Sequence, residues 1–306
     1  MTSVASLEEL DIPSSWVTIG IFDGVHLGHQ RILKTLVEGA HAAGLPALVV
    51  TFDPHPAQVL AGLQLPRLLT SPEKENALRL LGVDQVICLT FTREMAALSA
   101  AEFLHQLKRA TGFTRLFTGY DFALGKNRAG NNTELSKIAA EMGFTHQVFP
   151  AFELDGKIIS STLLRESIAA GEVEFAAKAM GSPYRVSGVV VRGDGRGRTI
   201  KIPTANVSFP EGKVLPKVGV YATLVTVRGQ RFAAVTNFGM RPTFVEQALY
   251  PRLEPHILDF DMEIYDEQVV VEFIRFIRPE MRFNGPAPLV EQIQRDIETT
   301  RAMRLV

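Results

Sequence analysis

The chain has 306 residues, a formal net charge of -1, 46% hydrophobic residues and 21% charged ones. That length favours two domains, each able to bury its own core, and the charge balance argues against a surface built to neutralise a nucleic-acid backbone, leaving nucleotides as small ligands. The single cysteine, Cys88, lies in the apolar run VICLTF; it cannot form an internal disulfide and fits a buried thiol in a reduced, intracellular protein. The amino terminus, MTSVASLEELDIPSS, lacks a basic segment followed by an apolar stretch. No apolar run approaches the roughly 18 residues of a membrane span, so a cytoplasmic protein that meets neither membrane nor nucleic acid is expected.

From Trp16 onward, short apolar runs alternate with helix-period segments: WVTIGIF, HQRILKTLVEGAHAAG, PALVVTF, ENALRLLG, DQVICLTF, AAEFLHQLKRA, RLFTGY, ELSKIAAEMG and HQVFPAF, then a closing pair of helical stretches. Such alternation builds a parallel sheet with helices on both faces, and ligands of such sheets bind beyond the carboxyl ends of the strands. From Tyr184 the pattern changes to YRVSGVVV, GVYATLVTV, RFAAVTNF, HILDF and QVVVEFIRFI, punctuated by glycine, proline and asparagine. This spacing predicts a small antiparallel barrel. PAPLVEQIQRDIETTRAMRLV then reads as one C-terminal helix with Pro286 and Pro288 near its start. The expected domains are residues 1–182 and 183–306, with the boundary in GSPY; no internal repeat or low-complexity tract is present.

Residues 18–30, TIGIFDGVHLGHQ, place two of the chain's seven histidines three residues apart where a strand gives way to a helix. Gly20, Gly24 and Gly28 let backbone approach a ligand, and the helix start offers unpaired N–H groups and partial positive charge, a place for phosphate. His26 and His29 can face the same way, hydrogen-bond one triphosphate and stabilise charge during its attack. A zinc site is the weaker reading, because the metalloprotease motif needs i and i+4 histidines with a glutamate between them; a purely structural pair is the other alternative. VTFDPHP holds His55 between two prolines, a stiff loop that suits a ligand contact and an ordinary turn equally. FTGYDFALGKNRAGN misses the Walker spacing by one residue and has Asn127 where serine or threonine belongs. Its Lys126, Arg128 and Gly130 read either as a mobile basic segment over phosphates or as a solvated loop. IISSTLLRESI supplies Ser160, Ser161 and Thr162 at a helix start with Arg165 one turn in, more than capping alone requires.

In the second half, VRGDGRGRTIKIPTANV combines Gly193, Gly195 and Gly197 with Arg196, Arg198 and a PTAN tetrapeptide. Glycines permit a loop over phosphates, and Thr204 and Asn206 are hard oxygen donors suited to Mg²⁺; a glycine-rich hairpin is the bland alternative. RLEPHILDFDMEIY carries Glu254, either a surface carboxylate or a barrel-mouth base able to take a proton from an alcohol.

Taken in order and spacing, the 18–30 stretch, FDPHP, GYDFALGKNRAG and ISSTLLR resemble the N-terminal adenylyltransferase module of the bacterial bifunctional riboflavin kinase and FAD synthetase family. GRGRTIKIPTAN, VGVYAT, TNFGMRPTF, LEPHILDF and VEFIRFIRPEMRF resemble its riboflavin kinase module. The resemblance implies a Rossmann-like nucleotidyltransferase sheet joined to a six-stranded antiparallel barrel with a C-terminal helix. The implied reactions are phosphorylation of riboflavin to FMN by ATP and adenylylation of FMN to FAD with release of pyrophosphate, with ATP as co-substrate and Mg²⁺ as cofactor. Riboflavin, FMN, FAD and ATP are the implied partners, and weak self-association is allowed for.

By resemblance, Glu254, His26, His29 and Arg165 are catalytic, and Thr204 and Asn206 hold the metal. Gly20, Phe22, Asp23, Gly24, Gly28, His55, Asp121, Ser160, Ser161 and Thr162 bind nucleotide or flavin in the first module. Gly193, Gly195, Arg198 and Asn237 do so in the second. Three departures stand out. Ala123 replaces the arginine of the family's DFRFG, Lys201 replaces the glycine before PTAN, and Asp266 replaces a glycine in a tight turn. Rival readings are an adenylyltransferase with a weak or silent kinase, a non-catalytic flavin-binding protein, and an adenylyltransferase for another phosphate or acid.

Overall fold

A computed structural model of the protein describes residues 7–193, 202–242 and 249–305. The chain divides into two compact units, Met1–Ser161 and Thr162–Val306. The first unit alternates strands and helices: β1 (Ser15–Ile19), α1 (Leu27–Ala42), β2 (Ala47–Asp53), α2 (Pro56–Ala61), α3 (Ser71–Leu80), β3 (Gln85–Thr90), α4 (Arg93–Ala97), α5 (Ala100–Thr111), β4 (Phe113–Gly119), the short pair β5 (Ala123–Leu124) and β6 (Gly130–Asn131), α6 (Asn132–Met142) and β7 (Thr145–Phe149). A small hairpin, β8 (Glu153–Leu154) and β9 (Lys157–Ile158), follows.

All strand pairs of the main sheet are parallel and their order is β3-β2-β1-β4-β7. Burial on both faces explains why β2 is an apolar run rather than an alternation: six of its seven residues are buried. Helices close the faces with local signals that the sequence carries. In α5, Ser99 and Glu102 form a reciprocal capping box at the start, and Gly112 ends the helix in the left-handed conformation. Its Phe103, Leu104 and Leu107 meet Val17, Leu48, Ile87 and Leu116 of the sheet in one buried core. The chain leaves β1 on one side to form α1 and reaches β4 on the other, so strand order reverses between β1 and β4, and a crevice opens beyond their carboxyl ends.

Helix α7 (Ser161–Ala170) straddles the division, and α8 (Val173–Met180) lies within the second unit. That unit continues as β10 (Tyr184–Val191), β11 (Asn206–Val207), β12 (Gly219–Val227), β13 (Gln230–Pro242), β14 (Leu249–Ile257), β15 (Gln268–Arg278) and the C-terminal helix α9 (Pro286–Ala302). The six strands close into an antiparallel barrel in the order β10-β11-β14-β13-β12-β15. Alternation sets its inside: Tyr184, Tyr221, Phe238, Leu253 and Phe273 are fully buried, with Tyr221 edge-on to Phe273 at 5.0 Å between ring centroids. On the outer face, Val235 and Leu258 pack with Ile293 and Ile297 of α9. The buried Asp296 of that helix accepts a forked bond from Arg278 of β15, at 3.1 Å from Nε and 2.8 Å from Nη2.

Candidate active site

In the first unit a cleft of about 560 Å³ sits in the crevice, lined by the end of β1, the start of α1 and the segment after β4. His26 and His29 lie in its wall. His26 is the N-cap of α1: its Nδ1 accepts the backbone N–H of His29 at 3.3 Å, so the neutral ring carries its proton on Nε2. The two imidazoles stack at 3.7 Å and 17°, and Phe22 meets His29 edge-on at 5.1 Å. Burial lowers the pKa of His26 to about 4, against the opposing pull of Asp23. Burial, then the neighbouring His26 and Lys74, depress that of His29 well below its ordinary value. Both rings are therefore neutral near pH 7. The Nδ1 of His29 is buried with no hydrogen-bond partner, an unmet demand at the N-terminal end of a 16-residue helix.

The groups around this pair divide into those that line the cleft and those that hold its walls. Gly20, Phe22, Gly28, His55, Asp121, Ser160 and Ser161 line it. Asp23 and Gly24, expected at the ligand, do not. The carboxylate of Asp23 is buried and accepts the N–H groups of Leu68, at 3.0 Å, and Leu69, at 3.2 Å. Gly24 has φ +81°, a backbone conformation that favours glycine. Ser161 Oγ donates to the carbonyl of Asp23 at 2.8 Å, so this hydroxyl ties the loop instead of capping α7. His55, read as part of a stiff loop, is the N-cap of α2 and accepts the N–H of Ala57 at 3.0 Å. Pro56 at the first helical position was the signal for that helix. Thr162 lies on the first turn of α7 and Arg165 at the start of the second, both within the second unit. Among the lining residues the one arginine is Arg128, whose guanidinium donates to the carbonyl of Asp121 at 3.1 Å.

In the barrel, Glu254 stands opposite Asn237 across the β13–β14 pair. Their strand neighbours Phe238 and Leu253 point inward, so both polar groups occupy the barrel's outer face. Glu254 accepts from Arg252 at 3.4 Å, its side chain 21% exposed, and Asn237 donates to Glu280 at 3.2 Å. The PTAN segment is fastened beside them. His256 Nδ1 donates to the carbonyl of Pro203 at 2.7 Å, Ala205 donates to that of Pro255 at 2.9 Å, and Val207 pairs with Leu253. Thr204 is exposed and Asn206 half-buried. A Cβ at Gly193 would lie 2.2 Å from Asn206 Nδ2, so glycine there leaves room for the asparagine amide. Gly195, Arg198 and Lys201 lie outside the described residues.

A family model described as FAD synthetase matches residues 9–163, and one described as riboflavin kinase matches residues 180–304. Curated proteins named bifunctional riboflavin kinase/FMN adenylyltransferase are similar over nearly the whole chain. The protein from Listeria monocytogenes is 38% identical, covering 94% of this chain and 91% of its own, and that from Bacillus subtilis is 37% identical, covering 92% and 90%. The chain belongs to this bifunctional family. A crystal structure described as a macrolide-efflux protein from Streptococcus pneumoniae superposes with a TM-score of 0.91 at 32% identity, covering 98% of both chains. No helix among the described residues of the present chain is long and apolar enough to cross a membrane.

For a member of the riboflavin kinase/FMN adenylyltransferase family, the structure locates two of the three sequence departures. Ala123 lines the cleft, five residues before Arg128. Asp266 takes φ +63°, the conformation for which the family's glycine is suited, and its N–H donates to Val190 at 2.8 Å. Sequence reasoning missed the residues that hold the sites in shape. Asn132 donates to the carbonyls of Gly119, at 3.0 Å, and Tyr120, at 2.9 Å, fixing the far wall of the cleft. His256 fastens PTAN, and the LEPH run gave a positional hint but no partner.

Proposed function

We propose that this chain phosphorylates riboflavin on its barrel and adenylylates the resulting FMN at the crevice of its parallel sheet, using MgATP in both steps. The observation that carries the second assignment is the stacked His26–His29 pair, with the unsatisfied Nδ1 of His29, at the start of α1 and at the reversal of strand order. A phosphate oxygen of FMN attacks the α-phosphorus of ATP, a new P–O bond forms, the bond to the β-phosphate breaks, and pyrophosphate leaves. FMN already carries its charge, so the step needs alignment and charge stabilisation more than a base. His26 Nε2–H, the N-terminal amides of α1 and Arg128 are the donors available for the phosphates. Gly20, Phe22, Gly28, His55, Asp121 and Ser160 shape the ligand space, Ser161 holds the loop, and Thr162 and Arg165 are assigned to the phosphates on motif alone.

On the barrel, Glu254 takes the proton from the ribityl 5′-hydroxyl as its oxygen attacks the γ-phosphorus and ADP leaves. Thr204 and Asn206 are the assigned protein ligands of the Mg²⁺ that accompanies ATP. No cluster of three or more histidine, cysteine or acidic side chains suited to a metal exists among the described residues. A magnesium ion held by one or two protein oxygens, phosphates and water needs none. When bound it neutralises phosphate charge. Gly193, Gly195, Arg198 and Asn237 are assigned to the nucleotide and flavin of this step. We place the functional boundary at residues 182/183, supported by the riboflavin kinase match that starts at residue 180. A cytoplasmic setting is supported by the free, buried Cys88.

The test is a time course of purified protein with MgATP and either riboflavin or FMN, separating FMN, FAD, ADP and pyrophosphate by chromatography. FMN and then FAD from riboflavin is the expected result. FAD from FMN alone would remove the kinase assignment, and no flavin product from either substrate would leave a binding protein.

A further inference from the structure

Lys74 of α3 is 8% exposed, one of the few buried charged side chains among the described residues. Its Nζ donates to the carbonyl of Ile21 at 3.2 Å and to the hydroxyl of Thr51 at 3.0 Å. Both acceptors are neutral, and Thr51 Oγ1 itself donates to the same Ile21 carbonyl at 3.1 Å. That carbonyl is therefore satisfied without the lysine, and what Lys74 adds is a cation beneath the turn. Ile21 leads directly into Phe22, held at φ +53° with its ring against His29. The same helix is joined to the turn a second time, because Asp23 grips the N–H groups of Leu68 and Leu69 just before the Thr70 cap of α3. Burying a lysine costs stability, and packing alone would be served as well by an apolar side chain.

We infer that Lys74 is a positioning residue for adenylyl transfer, its buried ammonium fixing the Ile21–Phe22 turn against His29 and setting positive charge behind the loop that receives the triphosphate. The inference rests on the adenylyltransferase reading above. Burial lowers the pKa of Lys74, while Cys88, Asp23 and Asp53 act in the opposite direction and Arg67 with the burial. Its field reaches the histidine pair, since Lys74 is one of the causes that depress the pKa of His29. Displacement of the turn moves Phe22 and with it the ring it supports, and misplacement by about 1 Å can cost roughly a hundredfold in rate.

The test compares the full-length protein with its Lys74→Met and Lys74→Arg variants, measuring FMN adenylylation, riboflavin phosphorylation and thermal midpoint in parallel. In Lys74→Met, kcat for FAD formation should fall roughly ten- to a hundredfold, while KM for MgATP changes less than about threefold. Riboflavin phosphorylation should be unaltered and the midpoint equal or higher, because methionine fills the space of the lysine stem without a buried charge. Lys74→Arg, which keeps the cation, should recover most of the loss. Wild-type kcat in Lys74→Met would overturn the inference, as would a loss that tracks a lowered midpoint and is not recovered by arginine. Unmodified protein that forms no FAD from FMN would instead overturn the reading on which the inference rests.

Discussion

In the sheet unit, the polar groups of the site come from loops at the carboxyl ends of β1, β2 and β4 and converge on a cleft whose walls are mostly apolar and whose floor, at Ile19, Phe22, His26 and Ile32, is buried. In the barrel unit they come from facing residues of two paired strands, on the outer surface, with PTAN laid alongside. Enclosure leaves His26 and His29 neutral and the Nδ1 of His29 unsatisfied. A carboxylate on an open strand face needs less support, since Glu254 is held in place by the register of the sheet and by Arg252. One chain thus holds two different settings for its polar groups, desolvated imidazoles in a cleft and a partly exposed carboxylate on a strand face.

The sharpest way to break this comparison is to neutralise the Glu254 carboxylate, the base of the proposed kinase step. Glu254→Gln should lower riboflavin phosphorylation by about 10²- to 10⁴-fold and leave FMN adenylylation as it is; equal loss of both reactions would contradict the separation of sites. His29→Ala is the converse, with FAD formation expected to fall by about 10²- to 10³-fold while the kinase is spared. Unaltered FAD synthesis would take that histidine out of the reaction.

Acid should distinguish the units in a graded way. Folding holds the pKa of His26 at about 4 against an ordinary 6.5, so between those values the unfolded chain binds more protons and stability falls as pH drops. Full protonation costs the sheet unit about 3 kcal/mol through this group. Urea midpoints measured from pH 7 to pH 4 should show the slope, and His26→Gln should make it shallower, the depressed His29 accounting for part of what remains; an unchanged slope in the variant would refute the cause. The smallest effect belongs to the barrel. Asp266→Gly should stabilise it by about 0.5–1 kcal/mol by relieving the left-handed backbone. A loss of stability on chemical denaturation would mean that the aspartate side chain matters more than its φ.

Much of this was legible in the sequence, and what was missed has a physical pattern. Period-2 and period-3.6 runs marked nearly every long element, including β10, β12, β13, β15 and α9, because burial of one face or both writes itself into composition. Strand β11 has two residues and no period to read, although it closes the barrel between β10 and β14. The histidines and glycines of 18–30 signalled a phosphate site through local spacing. Asp23 reads locally as a ligand group, yet its carboxylate serves residues 68 and 69, some 45 positions away. Lys74 sits in SPEKENALRL as one charge among several on an amphipathic helix, and only the fold turns it toward Ile21 and Thr51. Such contacts join distant parts of the chain, and a single sequence carries no trace of the pairing.

The most direct test of two independent sites is complementation in solution. Glu254→Gln and His29→Ala proteins would each be given riboflavin and MgATP, alone and mixed, and FAD followed by chromatography. Neither variant alone should make FAD; His29→Ala should accumulate FMN, and the mixture should form FAD from it. A folded variant that loses both reactions, or a mixture that leaves FMN unconverted, would contradict the account.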